Sequence, residues 1–232
     1  MKYNIYFFGN GYTDAPKIDK MIQGGKGANL LKMTQLGIPV PPGINIPTEY
    51  CFEYLKLGKL PDDFMESVYE KLKLVEQATG RKFGDKNRPL LVSVRSGAPV
   101  SMPGMMDTIL NLGLNEETAI GLIRETQDER FVYDSYRRLI QMFGDVVMEV
   151  KHEKFEKTIE YYKKISNAAS DTDLKPQTLR EIITSYKKII KDETGKDFPE
   201  DPHIQLKMAI ESVFRSWNNE RAIIYRKIHN IP

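Results

Sequence analysis

The chain has 232 residues, with 34 Lys and Arg against 32 Asp and Glu and a formal net charge of +2. Its 41% hydrophobic content and modest Gly and Pro counts (16 and 13) exclude collagen-like, disordered and low-complexity classes. The charge balance excludes a nucleic-acid binder that works by bulk charge, and the length suffices for one large domain or two small ones.

In chain order, Tyr3 to Phe8 reads as a strand closed by Gly9-Asn10-Gly11. Gly27 to Leu36 reads as a helix, with Gly24-Gly25 before it and Gly37 as its stop. Ile44 and Ile46 fall in a short strand after the Pro41-Pro42-Gly43 turn, and Thr48 is the expected cap of a helix carrying Tyr50, Tyr54 and Leu55. From Asp62 to Ala78 the apolar residues Phe64, Val68, Leu72 and Val75 recur at helical spacing, and Gly80 ends the run. Leu90 to Val94 is apolar and β-branched, as a buried strand would be. A Gly/Pro-punctuated stretch follows, then Thr108 to Leu112 as another short strand.

Beyond Asn115 the texture turns helical. Through that residue there are 14 basic and 11 acidic side chains, and after it 20 and 21. Asn115 is the expected cap of a helix carrying Ile120 and Ile123, and a longer helix runs from Phe131 to about Val150. Phe155, Ile159 and Tyr162 mark the next. Leu179, Ile182, Ile183, Tyr186 and Ile190 mark another, stopped by Gly195. Asp201-Pro202, a cap residue before a Pro at the first helical position, opens a helix carrying Leu206, Ile210, Val213 and Trp217. Lysine-rich faces such as Lys187, Lys188 and Lys191 read as solvated surface, so no nucleic-acid partner is expected.

The single Cys51 lies between aromatics without an adjacent basic partner, as a buried structural thiol would, and it cannot form an internal disulfide. The apolar start is interrupted by Gly9 and Asn10, too soon for a signal peptide or membrane span. A cytoplasmic protein with no membrane partner is expected. His152, His203 and His229 are far apart and unpaired for zinc, so no metal site is expected within this chain. A phosphate loop of the G-x-x-x-x-G-K-[ST] type is absent, because Gly25-Lys26 lacks both the earlier Gly and the following Ser or Thr.

Two places could carry chemistry. Gly24-Gly25-Lys26-Gly27 precedes a helix, where glycines let backbone approach a ligand and helix N-terminal N–H groups favour anions. Lys26 would add a point charge suited to phosphate, although an ordinary turn with an exposed Lys fits the spacing as well. The second is the loop after the Leu90–Val94 strand, Arg95 to Thr108. Arg95 is the side chain for bidentate phosphate contacts, and Met102, Met105 and Met106 offer adaptable apolar surface for one edge of an adenine pocket. A structural loop with its Met side chains in the core is the equal alternative.

GGKGANL at 24–30, LGIPVPPG at 36–43, KFGD at 82–85 and LLVSVRSGAPVSMPGMMDTILNLGLN at 90–115 resemble the start of the pyruvate, phosphate dikinase family. RFVYDSYRRLIQMFGDVVMEV at 130–150 and VFRSWNNERAIIYRKIHNIP at 213–232 carry the resemblance to the end of the chain. The related phosphoenolpyruvate synthases share the early Lys and the strand-borne Arg, but not the MPGMMDTILNLG run. The resemblance implies an α+β fold, the first portion of an ATP-grasp-type nucleotide-binding domain. Lys26 and Arg95 match the family's basic residues on the ATP phosphates. Ser101, Met102, Gly104, Met105, Met106, Asp107 and Thr108 match the loop that closes over the nucleotide.

The implied reaction converts ATP, phosphate and pyruvate to AMP, diphosphate and phosphoenolpyruvate through a phosphohistidine. Its partners would be the phosphohistidine and pyruvate-binding domains, in a homodimeric parent enzyme, with Mg2+ accompanying ATP on carboxylates outside this chain. Two departures stand out. Pro99 occupies the place of a second Arg that the family usually carries, and the chain stops where the family continues into those other domains. The expected organisation is an ATP-grasp-type subdomain of 1–115 plus 201–232, with a helical insertion at 116–200, and no turnover by the isolated chain. A non-catalytic binding module, or one subunit of a split dikinase, is the alternative.

Overall fold

The computed structural model describes residues 3–231. Among the described residues helix takes up 59%, beside three small sheets, an α+β composition. The strands are β1 (Tyr6–Gly9), β2 (Tyr12–Thr13), β3 (Gly43–Asn45), β4 (Lys82–Phe83), β5 (Pro89–Leu90), β6 (Val92–Arg95) and β7 (Thr108–Leu112). The helices are α1 (Lys20–Gln35), α2 (Glu49–Leu57), α3 (Phe64–Thr79), α4 (Glu116–Thr126), α5 (Glu129–Met142), α6 (His152–Ser166), α7 (Pro176–Thr194), α8 (Pro202–Arg215) and α9 (Glu220–Ile228). A π turn at Phe143–Val147 extends α5, and a 3-10 turn at Ser216–Asn218 separates α8 from α9.

The described residues divide into two compact units, each assembled from separated stretches. One comprises Met1–Lys82, Arg95–Thr108 and Ile210–Pro232, and the other Phe83–Val94 and Ile109–Ala209. The stretch 116–200 lies inside the second unit, which also takes in Phe83–Val94 and residues on both sides of that stretch.

In the first unit, Asn10 and Gly11 take left-handed φ of 50° and 76°, the two-residue turn whose twist joins β1 to β2. β3 pairs antiparallel with the other edge of β1, with Phe7 opposite Ile44 and Phe8 opposite Gly43. Phe8, Ala15 and Leu31 are buried together between this sheet and α1, with Ile18, Leu30 and Val40 packed around them. A second aromatic group sets Phe64 of α3 edge-on to Tyr50 of α2, ring centroids 5.4 Å apart. Asp14 accepts the Phe7 N–H at 2.7 Å and pairs with the buried Lys71, so both charges have a partner in the interior.

The second unit is built on α5, α6 and α7, whose apolar stripes bury Tyr136, Phe155 and all five residues expected from α7. The Tyr186 hydroxyl donates to the Phe155 carbonyl at 3.1 Å, and burial raises this phenol above the ordinary tyrosine range. Arg137, buried beside it, donates to Asp134 at 2.6 Å and to Gln141 at 2.9 Å. Gln205, fully buried, accepts the Gly113 N–H and donates to the Leu114 and Pro199 carbonyls.

Several local expectations change. Asn115 does cap α4, in a reciprocal box with Thr118, but Ile120 is about half exposed and Ala119 and Leu122 are buried instead. The cause is Gly121: a Cβ there would sit 2.2 Å from the Lys86 carbonyl oxygen, so the glycine side of α4 faces the chain and Ile120 turns away. The apolar run Leu90–Val94 splits into β5 and β6. β6 is half-buried rather than buried, with Ser93 and Arg95 exposed on one face and Val92 and Val94 on the other.

Candidate functional site

The glycine motif and the Arg95 loop meet within the first unit. α1 begins earlier than expected, at Lys20, because Asp19 caps it: Asp19 Oδ1 accepts the Met21 N–H at 2.9 Å. Gln23 reaches back to accept the Asp19 N–H at 2.6 Å and donates to the Lys17 carbonyl at 2.9 Å. One turn later the helix breaks at Gly24, where φ is 72° and ψ 161°. The break strands the carbonyls of Met21, Ile22 and Gln23, and each has a substitute donor. The Thr48 hydroxyl donates to Met21 and the Thr48 N–H to Ile22, both at 2.8 Å, while Asn45 Nδ2 donates to Gln23 at 2.9 Å. Thr48 stands at the N-cap position of α2, as expected, but its side chain does not cap the helix; its hydroxyl donates to the stranded carbonyl of Met21 instead.

The glycines of the motif serve backbone packing rather than ligand approach. A Cβ at Gly24 would lie 1.6 Å from the Gly97 carbonyl oxygen, and one at Gly27 would lie 2.1 Å from Asn45 Nδ2. Between them the Gly25 N–H donates to the Ala98 carbonyl at 2.9 Å. The motif is thus locked face to face with the Ser96–Pro99 segment, and Gly24 and Gly27 are buried while Lys26 is exposed. The Lys26 Cβ lies 4.0 Å from the position a Gly97 Cβ would take, two residues beyond Arg95. Arg95 is also exposed, and neither cation has a hydrogen-bond or ion-pair partner among the described residues. Asn45 Oδ1 is buried next to this junction and likewise has no partner among them.

The remaining predicted residues separate into a tip and a root. Ser101, Pro103 and Gly104 are exposed, and Gly104 has a left-handed φ of 72° with open space around it. Met102 instead turns inward onto Trp217 and Ala222, with Cys51, Met105, Met106 and Tyr225 packed against the same cluster. The Arg226 guanidinium stacks over the Trp217 ring at 4.1 Å. Asp107 is held tightly: its N–H donates to the Ser216 hydroxyl at 3.2 Å, and its carboxylate accepts from Asn219 Nδ2 at 3.2 Å and from Arg221. Thr108 follows as the first residue of β7. Burial pushes the Cys51 thiol up to about 12, opposed by the Arg226 charge, so it stays protonated and inert at neutral pH.

Sequence reasoning missed Asn45, Thr48, Asn219 and Arg221 as parts of this arrangement. Asn45 left one signal, a polar residue between Ile44 and Ile46. Arg221 left none, since its partner Asp107 is 114 residues away in sequence. Among the described residues, no group of three or more His, Cys, Asp or Glu could hold a metal ion. No described helix is long and apolar enough to cross a membrane.

Residues 59–232 match the family described as pyruvate phosphate dikinase, AMP/ATP-binding domain. The chain is 50% identical over 229 residues to a pyruvate, phosphate dikinase of Rhizobium meliloti (strain 1021), covering 98% of this chain and 26% of that protein. It is 47% identical over 230 residues to the Giardia intestinalis pyruvate, phosphate dikinase, covering 98% of this chain and 26% of the relative. Against the Clostridium symbiosum enzyme of the same name it is 49% identical over 211 residues, 90% of this chain and 24% of the relative. The chain thus spans about a quarter of the length of these relatives. With a family match over three quarters of its length and close relatives over nearly all of it, the chain belongs to the pyruvate phosphate dikinase family, in the AMP/ATP-binding domain.

Proposed function

We propose that this chain supplies the phosphate-holding wall of the ATP site of a pyruvate, phosphate dikinase, in the first portion of an ATP-grasp-type domain. The observation that carries the reading is the junction of the two motifs. Gly25–Ala98 and Gly24–Gly97 clip the break in α1, next to Lys26, to the segment that follows Arg95 at the end of β6, and both cations are exposed and without a partner among the described residues. Lys26 offers a mobile point charge and Arg95 a planar fork, a combination suited to a polyphosphate chain. Held at one place, they would neutralise the charge on the oxygens of a phosphoryl group in transfer, which is most of what such a reaction asks of a protein.

The full activity is that of a phosphotransferase with paired acceptors. ATP, phosphate and pyruvate give AMP, diphosphate and phosphoenolpyruvate, with a phosphohistidine domain and a pyruvate-binding domain as partners in a homodimeric, cytoplasmic parent. Mg2+ would accompany ATP and supply further charge neutralisation. The described residues do not fit a resident metal, since no ligand cluster is present and the Asp107 carboxylate is engaged by Asn219 and Arg221. The 232-residue chain alone is expected to produce no AMP from ATP, Mg2+, phosphate and pyruvate.

The site is tested by calorimetry with ATP on the unaltered chain and on Lys26→Ala and Arg95→Ala. Each substitution should weaken binding about tenfold, the loss of one charge-assisted contact. Thermal stability should stay unchanged, because neither side chain has a partner among the described residues to lose. Affinity that survives both substitutions would defeat the site.

A further inference from the structure

We propose that Arg221, with Asn219, is a positioning residue for ATP: it fixes the root of the Ser101–Asp107 loop and leaves only its tip free to move. The inference rests on the nucleotide reading above and adds residues that neither glycine motif contains.

Three observations carry it. First, the root is held at four points by one short stretch, residues 216–221. The Ser216 hydroxyl accepts from the Asp107 N–H and donates to the Val213 carbonyl at 2.6 Å. Asn219 and Arg221 donate to the two carboxylate oxygens of Asp107. Arg221 Nε also donates to the Met105 carbonyl at 3.0 Å. A guanidinium alone among cationic side chains donates in two directions from a rigid plane, so Arg221 ties the Asp107 side chain and the Met105 backbone together as one piece.

Second, the underside of the loop is fixed by packing. Met102 is buried against Trp217 and Ala222, and Trp217 is held in turn by Phe52 edge-on at 5.9 Å and by Arg226 stacked on the ring. Third, the tip has no such restraint. Val100, Ser101, Pro103 and Gly104 are exposed, and the space around Gly104 is open. The pattern describes a finger with a rigid base. Its reach towards a nucleotide is set by the base, and the base is set by Arg221.

An exposed ion pair is commonly worth little. Here the Asp107 side chain is mostly buried, 13% exposed against 53% for Arg221, and the loss of its partner leaves a carboxylate facing the interior. The consequence should be local loosening rather than unfolding.

The test uses the 232-residue chain with Arg221→Ala, Arg221→Lys and, as a control on an exposed pair elsewhere, Lys191→Ala. Three quantities are read: ATP affinity by calorimetry, amide exchange of residues 101–107, and emission of Trp217, the only tryptophan. Arg221→Ala should weaken ATP about tenfold, as expected for losing a charged hydrogen-bond partner. It should also speed exchange at 101–107 and shift Trp217 emission to the red, while the melting temperature and exchange in α3 hold. Arg221→Lys, able to reach only one of the two acceptors, should recover affinity in part, and Lys191→Ala should change nothing. Unchanged exchange at 101–107 in Arg221→Ala, or unchanged ATP affinity when Lys26→Ala does weaken it, overturns this inference and leaves the nucleotide site standing. Failure of the unaltered chain to bind ATP overturns both.

Discussion

Gly25 donates its backbone N–H to the carbonyl of Ala98 across 2.9 Å, and 72 residues of chain lie between them. That one bond, flanked by the contact of Gly24 with Gly97, ties the stretch that carries Lys26 to the segment that follows Arg95. The two cations are placed by main chain, not by side-chain contacts of their own, so their geometry is insensitive to what either side chain is and very sensitive to the glycines.

Gly24→Ala is therefore expected to be costly. The new methyl meets the Gly97 carbonyl oxygen at 1.6 Å on a residue already at φ 72°. Backbone strain at φ 72° and ψ 161°, a region essentially restricted to glycine, accounts for about 1–3 kcal/mol, and displacement of the Ser96–Pro99 segment should bring the total to roughly 4 kcal/mol. Gly104→Ala has the same φ but open space, and should lose only about 1 kcal/mol. Urea denaturation of both variants checks the pair; equal losses would mean that the close approach at Gly24 does not matter.

Pro99→Arg would place a third cation beside the junction of the two motifs. The Pro99 carbonyl oxygen lies 3.4 Å from the Cβ position of Gly25, so an Arg at 99 arises beside Lys26. ATP affinity should rise about threefold at low ionic strength, the scale of one added surface charge. The gain should fade by 0.5 M salt. Weaker binding at low salt would show that residue 99 faces away from the nucleotide.

Cys51 supplies a pH prediction. Burial raises the thiol to about 12, above its value in the unfolded chain. A group whose folded value is raised contributes stability fully present below the unfolded value and lost as pH climbs through the folded one. The contribution should therefore be intact at pH 7 and decline from about pH 8.5 upwards. Cys51→Ala should flatten this alkaline decline. In the same range, a thiol reagent should react with the native chain many times more slowly than with chain unfolded in urea.

Gln205→Leu tests the second unit. Gln205 is fully buried and satisfies the Gly113 N–H and the Leu114 and Pro199 carbonyls at once. An apolar side chain of similar size leaves three interior groups unpaired, at a cost of about 3 kcal/mol by urea denaturation. A loss below 1 kcal/mol would mean that water reaches these groups.

What could be read from sequence followed the range of the interactions. α7 was legible because its five buried residues repeat at helical spacing and Gly195 ends it with a left-handed φ, both local facts. The end of β1 was legible for the same reason, through Gly9-Asn10-Gly11, whereas the two-residue strand β2 was not foreseen. Thr48 was misread because its chemistry suits a cap, yet the break at Gly24 offered its hydroxyl a carbonyl that had lost its own donor. Ile120 was misread because an apolar residue at helical spacing yields to a glycine that lets the opposite side come closer. At the candidate site, Lys26 and Arg95 were visible as cations bordering Gly- and Pro-rich stretches. Their common origin in the Gly25–Ala98 bond, and the hold of Arg221 on Asp107, depend on pairings 73 and 114 residues apart that no local pattern announces.

The division of the chain has a consequence for the order of its birth. The second unit is complete in sequence once Ala209 has been made, whereas the first still awaits Ile210–Pro232. Those last residues carry Trp217, Asn219 and Arg221, the supports of the Ser101–Asp107 loop. On the ribosome, then, the helical unit made in the middle can settle first. The unit that bears Lys26 and Arg95, although begun earlier in the sequence, must wait with an unfinished core until residues 210–232 have been made.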